Sequence, residues 1–276
     1  MRASRGFTLI ELIVVIVVMG IMAFGTVQFI VNSSQGYADA ARRGRLGSTG
    51  AVAVEQLARE LRNALPNSVR AGRSPNVGIP CLEYVPVLAG THYLDIPVQS
   101  ASSGFLSVPF MAPPAIGRVA VYPLQAADIY RLASVPGEPS VISAEKVITA
   151  PSDLVGTAAV RVGWGSSHAF PSASPTGRWF MVDEPVSFCV VGDKLFRYAG
   201  YGFHSVQPFP QESSAPLPAA VPQRRLLADA LVLEGEPFRL IAATLQRNAL
   251  VRLDLSFKAG DEGVRIQHEV QLRNVP

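Results

Sequence analysis

The most telling reactive group in this chain is Gly6-Phe7, followed four positions later by Glu11. A small-residue peptide bond directly ahead of a long apolar run suits a peptidase working at a membrane surface. A lone carboxylate inside such a run asks for a counter-charge, because a charged group there costs about 2.5 to 3.5 kcal/mol on insertion scales. Between Phe7 and Val31 there is no Lys, Arg or His. The natural counter-charge is therefore the amino group that cleavage after Gly6 would expose on a neighbouring copy.

The remaining reactive residues carry weaker signals. Cys81 and Cys189 are the only cysteines. Both stand beside strand-like patterns on what should be the oxidising side of a membrane, so a disulfide is the economical reading and two free buried thiols the alternative. Such a bond would close a loop of about 108 residues, for which the chain-entropy model suggests about 4.7 kcal/mol. His92, His168, His204 and His268 share no metal-ligand spacing, and no Gly-rich phosphate loop follows a strand. His268 falls on the apolar side of a strand and reads as a core histidine. Asp183-Glu184 and Asp261-Glu262 lack the alternating ligands of a calcium loop and read as turn acids. The aromatics Phe196, Tyr198, Tyr201 and Phe203 read as sheet packing, with a glycan-stacking patch as the alternative. No catalytic residue, metal site or cofactor is expected.

The elements that must hold these residues begin with a membrane anchor. Phe7 to Val31 is 25 residues, about 37 Å as a helix, long enough to span a hydrocarbon core of about 30 Å. A secretory signal would carry its cleavage site after the apolar segment; here the candidate bond precedes it, so the segment survives processing. Arg2 and Arg5 hold the N-terminal side in the cytoplasm and send the rest across. From Leu46 the positions 46, 50, 54, 57, 58, 61 and 65 keep a helical spacing until Pro66, predicting a stem to about Leu65. Gly44, Gly47 and Gly50 predict a bend or partial unwinding.

Beyond Pro66 the pattern alternates. Val251, Leu253, Leu255 and Phe257, then Val264, Ile266, Val270 and Leu272, predict a hairpin with one buried face around a turn at Ala259 to Gly263. Further predicted strands are Leu82 to Leu88, Arg118 to Pro123, Ala159 to Trp164, Arg178 to Val182, Val186 to Val191 and Lys194 to Tyr198. Pro97 to Pro123 and Val206 to Gln223 read mainly as surface loops. The expected organisation is residues 1–6 as a leader, 7–31 as a membrane half-helix, 32–65 as an amphipathic stem and 66–276 as an extracytoplasmic β-rich domain. Its fold class is α+β, a long N-terminal helix packed on an antiparallel sheet domain.

Composition narrows the function classes. Apolar residues make up 49% of 276, ample for a sizeable core. The formal charge of +3 falls to +1 once Arg2 and Arg5 leave with the leader, too weak a field to favour nucleic acid. The basic cluster Arg42, Arg43 and Arg45 reads as a solvated helix face, with a membrane-surface or packing patch as the alternative.

GFTLIE, Gly6 to Glu11, together with the basic leader and the apolar run, resembles the processing site of type IV prepilins and pseudopilins. That resemblance implies cleavage after Gly6 by the prepilin peptidase, N-methylation of Phe7, and pairing of Glu11 with the Phe7 amine of an adjacent subunit. It also implies a membrane anchor at Phe7 to Val31, an inner-membrane assembly platform, and partners among minor pilins and the major pilin. Many major pilins carry a proline within the membrane half of this helix; here position 28 is Gln. The segments RELRNALPNSVR from Arg59, CLEYVPV from Cys81, PVSFCV from Pro185, LFRYAGYG from Leu195 and HEVQLRNVP from His268 resemble minor pilins of mannose-sensitive haemagglutinin pili, related to J-type minor pseudopilins. The implied role is initiation or capping of a pilus near its tip. A minor pseudopilin of type II secretion and a glycan-binding tip adhesin are the alternatives.

Overall fold

The computed structural model describes residues 8–110, 115–131, 138–149, 159–211, 217–243 and 248–273. Helix α1 runs unbroken from Leu9 to Arg62, 54 residues. Thr8 caps its start, its hydroxyl accepting from the Glu11 backbone N–H at 3.3 Å. The helix is buried only in its second half, at Leu46, Gly50, Ala53, Val54, Leu57, Ala58 and Leu61. The helical spacing read from Leu46 onward thus marks the face that packs.

The helix ends three residues before the expected Leu65. Asn63 caps it and sends its side-chain amide to the Val87 carbonyl at 2.6 Å. Leu65 N–H donates to Val85 O at 2.8 Å and Val87 N–H to Asn63 O at 3.0 Å. These bonds account for a second correction: the single strand expected over Leu82 to Leu88 is two. Pro86, which has no N–H to give, sits where the chain leaves one sheet and begins pairing with the helix end.

Among the described residues, fifteen strands and one short helix follow. In chain order they begin with β1 Arg70–Arg73, β2 Pro80–Tyr84, β3 Val87–His92, β4 Ser102–Ser107 and β5 Ala115–Ala120. Helix α2 Ala126–Ile129, β6 Ile142–Thr149, β7 Val160–His168 and β8 Arg178–Val182 come next. β9 Val186–Val191, β10 Lys194–Tyr198, β11 Arg224–Ala228 and β12 Leu231–Val232 lead to β13 Phe238–Ile241, β14 Leu250–Ala259 and β15 Glu262–Gln271.

Two sheets cover the stem. One has the antiparallel order β1-β2-β9-β10-β11; in the other, β14 pairs with β15 on one edge and with β12 and β13 on the other. Together they close one core with the helix, built from Leu57, Leu61, Leu82, Phe188, Leu253 and Phe257 among others. The β14–β15 hairpin shows the expected alternation, with Val251, Leu253, Leu255 and Phe257 buried.

The second lobe is an excursion. β2 and β9 are direct neighbours, with Tyr84 opposite Val186, so the chain from Val85 to Pro185 leaves and returns through a narrow neck. It carries a four-stranded sheet, β3-β8-β5-β6, and the pair β4–β7. Its core is separate and aromatic: Phe105 meets Trp179 edge-on at 5.2 Å, and Trp179 Nε1 donates to Ser107 Oγ at 2.8 Å. Cys81 and Cys189 face each other across β2 and β9 as a disulfide, Cα atoms 4.2 Å apart, just inside that neck. Part of the expected loop from Pro97 to Pro123 is strand in this lobe. Gly104 has to be glycine there, because a Cβ would lie 2.5 Å from the Val162 carbonyl.

The stem shows no unwinding at its glycines. Gly44 and Gly47 face open space, whereas a Cβ at Gly50 would stand 2.6 Å from Ile266 Cδ1 and 2.7 Å from Phe257 Cε2. Gly50 is therefore the point of close approach between helix and hairpin. Gly50→Leu should destabilise the domain by about 1 to 3 kcal/mol through overpacking. Gly44→Ala should leave stability unchanged or raise it by up to about 1 kcal/mol. Chemical unfolding of the two detergent-solubilised variants measures both.

Candidate assembly surface

The helix from Leu9 to Val31 is apolar on all sides and touches nothing else in the described chain. Leu9, Phe24 and Phe29 are 76%, 74% and 71% exposed. The segment is long and apolar enough to cross a membrane. One of its interior polar groups is satisfied locally: the Thr26 hydroxyl donates to the Met22 carbonyl at 2.8 Å. A helix hydrophobic all round is stable only inside lipid or among other apolar helices.

Glu11 sits in the first turn of this helix and is exposed. Among the described residues its carboxylate has no partner. Its place at the helix start adds a local contribution that the sequence reading did not weigh. In the first turn the free backbone N–H groups and the helix dipole favour a carboxylate, typically by 0.3 to 1 kcal/mol. Thr8-Leu9-Ile10-Glu11 has the form of a capping box, a signal legible in the sequence that the charge-pairing reading passed over. Gly6 and Phe7, the expected processing pair, lie outside the described residues.

The basic cluster splits in the structure. Arg43 pairs with Glu262 in the β14–β15 turn at 3.2 Å, tying stem to hairpin, and Arg42 pairs with Asp39 along the helix at 3.5 Å. Asp183 accepts from the Glu184 N–H at 2.8 Å, as a turn acid does. Among the described residues no three His, Cys, Asp or Glu side chains converge as a metal site. Tyr198 is buried over the disulfide, and Tyr201 turns inward to bond Ser187 and Glu83, so these rings form no exposed stacking platform. His268 is half-buried on the hairpin's inner face, with Nε2 buried and unpartnered among the described residues.

Two ionic clusters were not anticipated from the sequence: a half-buried one ties the domain to the helix end, and a fully buried one joins β1 and β2 to the segment after β10. Glu60, in the last turns of α1, accepts from the Tyr84 hydroxyl at 2.5 Å and from Arg197 Nε at 2.9 Å. Glu83, fully buried, takes Arg70 Nε at 2.5 Å and the Tyr201 hydroxyl at 2.9 Å. Arg70 lies over the Tyr130 ring, 3.6 Å from its centroid, and also donates to the carbonyls of His204 and Ser205. Burial pushes the Glu83 carboxyl up, and its bonds from Arg70 and Tyr201 only partly offset this. Burial also raises Glu60, but hydrogen bonds from Tyr84 and Arg197 and the Arg197 charge more than offset it, so Glu60 ends below its ordinary value. Glu60, Arg70, Glu83, Tyr84, Arg197 and Tyr201 all fall in the three segments RELRNALPNSVR from Arg59, CLEYVPV from Cys81 and LFRYAGYG from Leu195.

Residues 1–27 match the family model described as the prokaryotic N-terminal methylation motif. No curated protein matches the chain, and no solved structure does. The motif and the exposed apolar helix give the chain a type IV pilin-like N-terminus that fits a single-pass inner-membrane anchor.

The two carboxylates have opposite linkage to pH. Because the folded value of Glu60 is lowered, its contribution is complete above its ordinary value of 4.5 and is lost as pH falls through the folded value. The raised value of Glu83 gives the reverse slope, stability gained as pH falls through it. Glu60→Gln should therefore lose stability at neutral pH, by about 1 to 3 kcal/mol, and lose less further stability than the parent below pH 4.5. Unfolding midpoints measured across that range check the sign.

Proposed function

We propose that this chain is a minor, low-copy type IV pilin, resembling MshO of mannose-sensitive haemagglutinin pili, that helps to initiate or cap a filament near its tip. The observation that carries the reading is the methylation motif at residues 1–27 on a helix whose apolar half has no partner in its own chain. The role is assembly rather than catalysis.

The mechanism follows from solvation. Prepilin peptidase cleaves after Gly6 and the new Phe7 amine is methylated, leaving the anchor in the inner membrane and the domain in the periplasm. Moving the apolar half-helix out of lipid is tolerable only if other apolar helices replace the lipid, and neighbouring pilins supply them. Glu11 pairs with the Phe7 amine of the adjacent subunit, which neutralises two charges and sets the axial register. Tip subunits can lack this acid because nothing precedes them; Glu11 is present here, so this subunit follows another.

The lobe from Val85 to Pro185 supports a low copy number. It adds a second core beyond the end of the stem, bulk that suits a terminal position better than a close-packed helical lattice. The assembly partners are other minor pilins, the major pilin and the inner-membrane platform.

Glu11→Ala should leave membrane insertion intact and lower the fraction of the protein recovered in sheared filaments by about tenfold or more, equivalent to about 1.4 kcal/mol in assembly. Quantitative immunoblotting of membrane and filament fractions reads both. Unchanged incorporation would remove the charge-pairing mechanism.

A further inference from the structure

Strands β4 and β7 form a sheet of their own. Their ladder is regular from Gly104–Gly163 to Ser107–Val160 but slips at the other end, where Ser102 faces His168 and the residues Trp164 to Ser167 have only Ser103 opposite them. A two-stranded pair is marginal in water, so this one depends on what its ends and side chains hold. The slipped end is tied to the lobe through His168 and the two residues after it. His168 Nε2 lies 3.1 Å from Ser140 O, Ala169 O accepts from the Ser140 N–H at 3.2 Å, and the Phe170 N–H donates to Pro97 O at 2.8 Å.

His168 is 3% exposed, and its ring meets Trp164 and Phe170 edge-to-face with centroids 5.7 Å and 4.6 Å away. A carbonyl only accepts, so Nε2 carries the proton of the neutral ring and Nδ1 is where a second proton would go. The segment before Pro97 brings Tyr93, whose hydroxyl donates to Ser174 O, and Asp95, which accepts from the Leu106 N–H. The segment before Ser140 brings Arg131 and Glu138, paired with each other. Strand β6, which lies against β7, carries Glu145 and Lys146, and β7 itself carries Arg161 at its far end. Among the described side chains no carboxylate bonds the imidazole. Burial therefore lowers the His168 value, against the smaller opposing pull of Ser140 O.

We propose that His168 is an acid-operated latch: when Nδ1 takes a proton, the β4–β7 pair opens from the lobe while the domain on the stem stays folded. The direction follows from linkage. A folded value below the ordinary 6.5 gives a contribution that is complete above 6.5 and is lost as pH falls below it and through the folded value. The stem side keeps its own core and the Cys81–Cys189 bond. Glu60 contributes in full down to 4.5 and Glu83 gains as pH falls, so neither cluster is lost in the window from 6.5 to 4.5. The latch is independent of the assembly role, which rests on the other end of the molecule.

The test follows amide hydrogen exchange of the full chain in detergent by mass spectrometry at about pH 7.5 and about pH 5, corrected for the intrinsic pH dependence of exchange. Peptides of β4 and β7 should lose protection by about tenfold at the lower pH, while those of the stem from Leu46 to Arg62 and of β14–β15 keep theirs. Trp164 and Trp179 are the only tryptophans, both in the core of this lobe, so their emission should shift to the red over the same range. His168→Gln, which keeps a donor for Ser140 O, and His168→Phe, which keeps a ring, should each abolish the acid step. Two variants keep the test open if one misfolds, which emission at the higher pH reveals. Unchanged protection of the parent at the lower pH, an acid step that a folded variant retains, or loss of protection in lobe and stem together overturns the proposal.

Discussion

The rest of the molecule is organised around one unmet demand. Leu9 to Val31 is a helix apolar on every side, and none of it is buried within its own chain. The free energy of that surface in water is prohibitive, so it exists either in lipid or among like helices. Everything that follows Val31 has to remain compatible with both environments. A domain folded only against the second half of the same helix satisfies this, because it is complete before and after the first half changes surroundings.

That division makes the junction between helix and domain the mechanically important contact. Gly50 lets Phe257 and Ile266 reach the helix backbone, Arg43 holds the hairpin turn, and Glu60 with Arg197 and Tyr84 locks the far end. A buried ion pair is weak evidence for net stability, since desolvation consumes much of its attraction. Its geometry is specific, however. Apolar packing alone would tolerate a shift of the sheet along the stem, whereas Glu60 on the stem accepts from Tyr84 on β2 and Arg197 on β10 and fixes one register. The Cys81–Cys189 bond does the same for the lobe, joining the two strands through which the excursion leaves and returns.

Where a residue's environment was local, the sequence disclosed it. The helical spacing from Leu46 onward marked the face that packs, and alternation marked the β14–β15 hairpin; the strands Arg178–Val182, Val186–Val191 and Lys194–Tyr198, short apolar runs, also stand at their expected bounds. Strand β4 was hidden because Ser and Gly dominate it and Phe105 is buried by distant partners, whereas β5 overlaps the strand expected at Arg118 to Pro123 but starts and ends three residues earlier. The neck at Tyr84 and Val186 was hidden for a similar reason: pairing across about a hundred residues leaves no local mark. Of the candidate site, Glu11 was legible from charge and position, and its place in a capped first turn was legible too, from the spacing of Thr8 and Glu11, but was passed over. The two carboxylate clusters were not legible, because each joins residues from three or four separate segments.

The account stands most directly on the state of the N-terminus in assembled filaments. Quantitative mass spectrometry of sheared filaments gives the ratio of this protein to the major pilin and the mass of its first peptide. The account predicts a trace subunit whose first residue is methylated Phe7. Absence from filaments together with a retained leader, Met1 to Gly6, would contradict it and leave a plain membrane-anchored domain.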